Sequence, residues 1–155
     1  MRWSFYIAFT RTPGVVFHDI RIKGERIIYE LSMQEATAQY GGNQPKAANT
    51  IYHETYYSLG TEMGTLVEGY DCPWGSTFWN LTYHDDNGTV TTMNSLCIFE
   101  ADMNLPLSFH RYAAGNDYGF SRLGTVKGAQ LIIRAVAIVG NYDYMFDYDF
   151  HVDGS

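Results

Sequence analysis

What most limits this chain is punctuation: short runs of alternating or β-branched residues are separated repeatedly by tight-turn signals. Val15 to Ile22 and Arg26 to Glu30 flank Lys23-Gly24-Glu25, which reads as a hairpin. Thr77 to Tyr83 alternates as a half-buried strand does, and Asp85-Asp86-Asn87-Gly88 supplies a turn into Thr89 to Thr92. Met93 to Glu100, Gln130 to Val139 and Tyr142 to Val152 complete the expected strands. Ser32 to Ala38 is the one short stretch of helix-friendly composition, and Gly41-Gly42-Asn43-Gln44-Pro45 breaks the chain after it. The 13 Tyr, 9 Phe and 3 Trp fit this picture, since bulky rings suit a pleated surface buried on one side. With 46% hydrophobic and 17% charged residues, the 155-residue chain is globular and reads as one all-β unit over residues 1–155.

The formal charge is −7 and no basic stripe occurs, which argues against a nucleic-acid partner because phosphates would be repelled. The same surface draws cations, and a protonated amine is one. No membrane segment is expected: the longest apolar run, Leu131 to Val139, contains Arg134 and is too short to cross a bilayer. Two cysteines, Cys72 and Cys97, accompany two glycosylation sequons at Asn80 and Asn87, both read as lying around a turn. Together they lean towards an extracellular, secreted setting. The start, Met1-Arg2-Trp3-Ser4-Phe5-Tyr6, lacks a signal peptide's apolar stretch, so a targeting segment is expected upstream. Val152-Asp153-Gly154-Ser155 resembles the turn of an unfinished hairpin, so the chain is expected to be truncated.

Taken alone, the titratable residues say little. His18, His53, His84, His110 and His151 are scattered, without His-x-His, His-Glu-x-x-His or Cys-x-x-Cys spacing, so no metal site is expected within the segment. Asp143, Asp147 and Asp149 alternate with Tyr142, Tyr144 and Tyr148, as on any strand with one polar face. Glu54 lies near Tyr52, Tyr56 and Tyr57, and would interest a chemist only if that aromatic cluster buries it. From residues alone the chain is a secreted-type β domain.

Asn141-Tyr142-Asp143-Tyr144, preceded by a strand, resembles the Asn-Tyr-Asp/Glu-Tyr cofactor motif of the copper-containing amine oxidases. The resemblance runs in order along the chain. Trp3-Ser4-Phe5 resembles the strand that opens the family's catalytic domain. The segment Gly24-Glu25-Arg26-Ile27-Ile28-Tyr29-Glu30-Leu31-Ser32-Met33-Gln34-Glu35-Ala36 is similar to a family signature, and Tyr40-Gly41-Gly42-Asn43 follows at the matching place. Gly69-Tyr70-Asp71-Cys72-Pro73 resembles the form found in the animal and some fungal branches. Leu96 to Glu100 and Leu105-Pro106-Leu107 through His110 match the segments that follow.

The resemblance implies an antiparallel β-sandwich, the first part of a large catalytic domain that is normally a homodimer. It implies oxidation of a primary amine by O2 to aldehyde, ammonia and hydrogen peroxide, using copper and a topaquinone made from Tyr142. Tyr40 matches the tyrosine that holds the quinone ring, Asn141 and Asp143 flank the quinone, and Tyr52 matches an aromatic position beside the substrate channel. Cys72 and Cys97 match an intradomain disulfide. Glu54 falls at the catalytic-base position, 18 residues before Cys72 (72 minus 54), where the family has aspartate. His53 is the neighbouring alternative. The family's copper histidines lie beyond the quinone, and this chain ends 13 residues past Tyr142 (155 minus 142), so the segment alone is expected to be inactive. The alternative is a non-catalytic secreted relative whose β domain serves binding.

Overall fold

A computed structural model describes residues 2–110 and 124–154. Its first sheet is ordered β1 (Trp3–Thr10), β2 (Gly14–Ile22), β3 (Glu25–Ser32), all antiparallel. Lys23 and Gly24 take φ +53° and +88°, the doubly left-handed pattern of a type I′ turn, and Ile22 pairs with Glu25 across it. Val15, Phe17 and Ile20 are the buried residues of β2 that join the core. The step from odd to even numbering follows Asp19, whose φ of +51° and adjacent register shift insert one extra residue.

Ser32 to Ala38 forms no helix. Ser32 ends β3, and Thr37–Ala38 is a short strand, β4, paired with β5 (Tyr52–His53). Tertiary pairing overrides composition in so short a segment. The helical turns fall instead at α1 (Pro45–Ala48), where proline suits the first turn, and at a 3-10 turn over Glu54–Tyr57.

The second sheet is ordered β6 (Thr77–Asp85), β7 (Gly88–His110), β8 (Gly124–Val139), β9 (Tyr142–His151), again antiparallel throughout. β7 runs past the expected stop at Glu100, because irregular pairing between Asp102 and Ser108 absorbs Asn104 and Pro106 without ending the strand. Asn87 sits in the β6–β7 turn, whereas Asn80 lies in the body of β6, with its side-chain Oδ1 accepting from the Asn94 N–H at 2.9 Å. The C-terminal turn is present, with the Gly154 N–H on the His151 carbonyl at 3.2 Å; Ser155 lies outside the described residues.

The two sheets pack face to face as a sandwich. Phe17 meets Tyr148 at 4.6 Å and Phe150 at 5.6 Å between ring centroids, and Phe5 stacks on Phe150 at 4.6 Å. Along β9 the even positions from Tyr144 to Phe150 face this core, while the aspartates face out. On the outer face, Arg134 binds Asp147 with two hydrogen bonds of 2.7 and 2.6 Å and donates a third to the Asp71 carbonyl. Beside it the Cys72–Cys97 disulfide closes a 25-residue separation in a second small core with Leu66.

Between the sheets' outer and inner faces runs the segment from Leu59 to Cys72. The β7–β8 ladder stops at Cys97 opposite Arg134, and the strands then diverge. Glu62 to Leu66 takes the vacated place. On the β8 side the Gly64 N–H bonds the Val136 carbonyl and the Ile138 N–H bonds the Glu62 carbonyl, both at 2.9 Å. On the β7 side the Leu66 N–H bonds the Asn94 carbonyl and the Ser95 hydroxyl bonds the Gly64 carbonyl, also at 2.9 Å.

This segment enters under the β1–β2 turn, where Gly60 has no room for a side chain: a Cβ would stand 2.1 Å from the Thr10 carbonyl oxygen and 2.7 Å from that of Arg11. Gly60→Ala is expected to lower the urea midpoint with unchanged slope, costing about 1–3 kcal/mol through overpacking against backbone. Reduction of the disulfide is expected to cost on the order of 3 kcal/mol more in the same assay.

Candidate active site

Tyr142 is the first residue of β9, placed there by a two-residue turn, Gly140-Asn141, that joins it to Val139 across the ladder. Gly140 takes φ +63°, and glycine in the left-handed region at the first turn position is what a II′ hairpin needs. From the other side of the chain, α1 and the β4–β5 ribbon bring Tyr40, Tyr52 and Glu54 to the same turn. They enclose a cavity of about 340 Å³, with Tyr57, Val139, Gly140 and Asn141 completing the wall.

The hydroxyls of Tyr40 and Tyr142, 102 residues apart in sequence, are hydrogen-bonded to each other. That bond, followed by desolvation and the nearby charges of Tyr142, Tyr144 and Glu54, pushes the Tyr40 phenol up to about 12. Tyr52 stands edge-on to Tyr40, at 5.9 Å between centroids. The Tyr142 ring is half exposed and opens on the cavity. Glu54 is buried at 6% exposure, whereas Tyr56, one of the rings beside it in sequence, is exposed and lies outside the cavity wall. Tyr144, next inward on the same face of β9, is pushed up by burial and then by the charge and hydrogen bonding of Glu54.

The other residues singled out by sequence lie elsewhere. Asp143 faces away from Tyr142, as period-two alternation requires, onto the opposite side with Asp71 and Thr65. His53 does not line the cavity; its Nδ1 lies 3.6 Å from Glu35. Two further residues complete the arrangement without having been singled out, Glu35 and Gly140. Tyr57, named among the rings near Glu54, lines the cavity, and Tyr144, the last residue of the cofactor motif, is the same-face neighbour of Tyr142. Glu35 stood inside the signature segment, but its partner Thr55 is 20 residues away.

A family model, copper amine oxidase, enzyme domain, matches residues 1–155. The chain belongs to the copper amine oxidases. It is 37% identical to copper amine oxidase vicK1 of Bipolaris victoriae, over 100% of this chain and 21% of that protein. To the diamine oxidase of Sus scrofa it is 36% identical, over 98% of this chain and 20% of the relative. Among solved structures it superimposes on an Aspergillus nidulans amine oxidase with a TM-score of 0.86 at 40% identity, over 99% of this chain and 20% of that one. A Pichia pastoris lysyl oxidase gives 0.85 at 35%, again over 99% of this chain and 20% of that one. This amine oxidase chain therefore spans about a fifth of the length of the relatives it matches.

The phenol pair is expected to be visible in titration. Tyr40's raised value means the folded state holds this proton more tightly than the ordinary value of 10.0, so the stabilisation is whole below pH 10 and is lost as pH rises towards about 12. Ring-labelled NMR of Tyr142→Phe is expected to find Tyr40 titrating closer to 10. An unmoved Tyr40 would mean that the bond to Tyr142 does not hold its proton.

Proposed function

We propose that this chain carries the organic half of a primary-amine oxidase active site, with Tyr142 the precursor of topaquinone and Glu54 the base. The observation that carries the reading is the meeting, at one cavity, of a tyrosine from the β8–β9 turn, its phenol anchor Tyr40, and a buried carboxylate from a distant segment. Sequence neighbours do not explain that meeting, and four phenols around an acid are not a packing necessity.

The residues suit the quinone. Tyr142 offers a ring face to open space, which oxygenation of the ring requires, and its hydroxyl already has a fixed partner. When formed, the quinone supplies an electrophilic carbonyl and a sink for an electron pair. For copper, no group of three or more His, Cys, Asp or Glu among the described residues is placed to hold an ion, so copper enters this reading through the family alone.

The chain's own residues perform the rest. Tyr40 keeps its proton through the physiological range and bonds the Tyr142 oxygen, which fixes the ring about the bond to its backbone. Orientation of this kind is worth orders of magnitude, since a ring free to turn would present the wrong carbonyl. Glu54 takes a proton from the carbon next to the amine nitrogen and holds it on its carboxylate. A carboxylate at the cavity and a net charge of −7 both attract a cationic amine. Tyr52 and Tyr57 flank the approach with aromatic surface. The disulfide and the exposed Asn87 sequon support a secretory setting for the protein. No helix among the described residues is long and apolar enough to cross a membrane.

The test uses protein expressed from the complete coding sequence and loaded with copper. A quinone redox-cycling stain and phenylhydrazine titration are expected to be positive, and to vanish in Tyr142→Phe. Glu54→Gln is expected to keep the stain while turnover falls by roughly 10²–10⁴, the usual contribution of a positioned base. A folded, copper-loaded protein without quinone would overturn the enzyme reading.

A further inference from the structure

Glu54 enters the cavity from the first position of a four-residue 3-10 turn, an element too short to hold its own direction. His53, ahead of it, gives the turn no side-chain cap. The ribbon that precedes the turn pairs only Thr37 with His53 and Ala38 with Tyr52. Something outside these elements has to fix where Glu54 starts.

That something is Glu35. One of its carboxylate oxygens accepts from the backbone N–H of Ala36 at 3.0 Å and from that of Thr55 at 3.1 Å. The other accepts from the Thr55 hydroxyl. In the opposite sense, the Glu54 N–H donates to the Ala36 carbonyl at 2.9 Å. The pair Glu35-Ala36 is thus laced in both directions to the pair Glu54-Thr55. Three donors on one carboxylate, the Thr55 hydroxyl first among them, hold Glu35 below the ordinary carboxylate range, so it stays an ionised acceptor. Glu35 itself does not line the cavity. Because β4 leads on to Tyr40 within two residues, the same knot fixes Glu54 relative to the phenol pair.

Resting on the role proposed for Glu54, we propose that Glu35 is a positioning residue that fixes the backbone from which Glu54 reaches Tyr142. A glutamate base has one more side-chain torsion than an aspartate, so its carboxylate wanders further for any slack in its backbone. Misplacement by about 1 Å can cost on the order of a hundredfold in rate, which makes the knot a kinetic requirement as well as a structural one.

The experiment compares Glu35→Ala, Thr55→Val and Thr55→Ser in protein from the complete coding sequence. In Glu35→Ala, amide exchange over residues 52–57 is expected to rise by about tenfold or more. There kcat is expected to fall roughly a hundredfold while KM stays within about twofold and quinone content is unchanged. Thr55→Val, which folds with the carboxylate intact, is expected to follow at smaller amplitude, and Thr55→Ser to restore the wild-type values. Unchanged exchange, unchanged kcat, or failure of serine to restore what valine loses would each overturn the proposal. Should the wild-type protein oxidise no amine, the functional reading fails separately, and Tyr144 then judges the knot. Its titration, raised in part by Glu54, is expected to fall in both Glu35→Ala and Glu54→Gln, and a Tyr144 that falls in the second but stays put in the first overturns the positioning role.

Discussion

The seating of residues 62–66 between β7 and β8 is the constraint on which the site depends. The β7–β8 pairing ends at Cys97 opposite Arg134, and the segment fills the gap on the side of the ladder that leads to Tyr142. By bonding β8 at Val136 and Ile138, the segment is pinned to the strand that ends, one residue past Ile138, at the turn into Tyr142. By bonding Asn94 and Ser95 it is pinned to β7 as well. The backbone groups left open by the diverging strands are satisfied in the same act, and the buried Ser95 hydroxyl of β7 finds its acceptor in the Gly64 carbonyl of the segment. Gly60 admits it beneath the β1–β2 turn, and Leu59 and Met63 anchor it in the sandwich core. Cys72 and the Arg134–Asp71 bond secure its far end.

That constraint also marks where sequence reasoning ran out. Hairpins set by local turn chemistry were legible: Lys23-Gly24 and the turn from Asp85 to Gly88 declare themselves, and strand alternation assigns the faces of β9 correctly. Bulges were not, because Asp19 and Asn104 in left-handed conformations are stabilised by the ladder around them and leave no periodic trace. The helix-friendly Ser32 to Ala38 became strand and connection because backbone groups from Ala36 to Ala38 are claimed by partners 14 to 18 residues on. The site followed the same division. Tyr142, Tyr40, Tyr52 and Glu54 came from motif resemblance, and the geometry brings all four to one cavity. Asp143, grouped with them by adjacency, faces elsewhere since a strand sends neighbours to opposite sides. Glu35 was invisible as a partner of Thr55 because a hydrogen bond across 20 residues has no sequence signature.

Within the cavity, the protonation of the phenols bears on which group can act. Tyr40 is held near 12 and Tyr144 is also pushed up, so both remain neutral donors across the physiological range. At pH 7 a phenol of that strength is ionised in roughly one molecule in 10⁵, too few to serve as a base. Glu54 is the one carboxylate among the described residues lining the cavity, and Asn141 cannot accept a transferable proton at neutral pH. The base role proposed for Glu54 thus has a chemical argument beside the family pattern: Tyr40 and Tyr144 hold their protons more tightly than free phenols do. The same phenols raise the demands on its placement. A neutral donor that bonds the wrong carboxylate oxygen, or bonds it too well, would hold Glu54 away from substrate. Under the positioning role proposed for Glu35, the reach of that side chain is set between Tyr144 on one side and the backbone knot on the other.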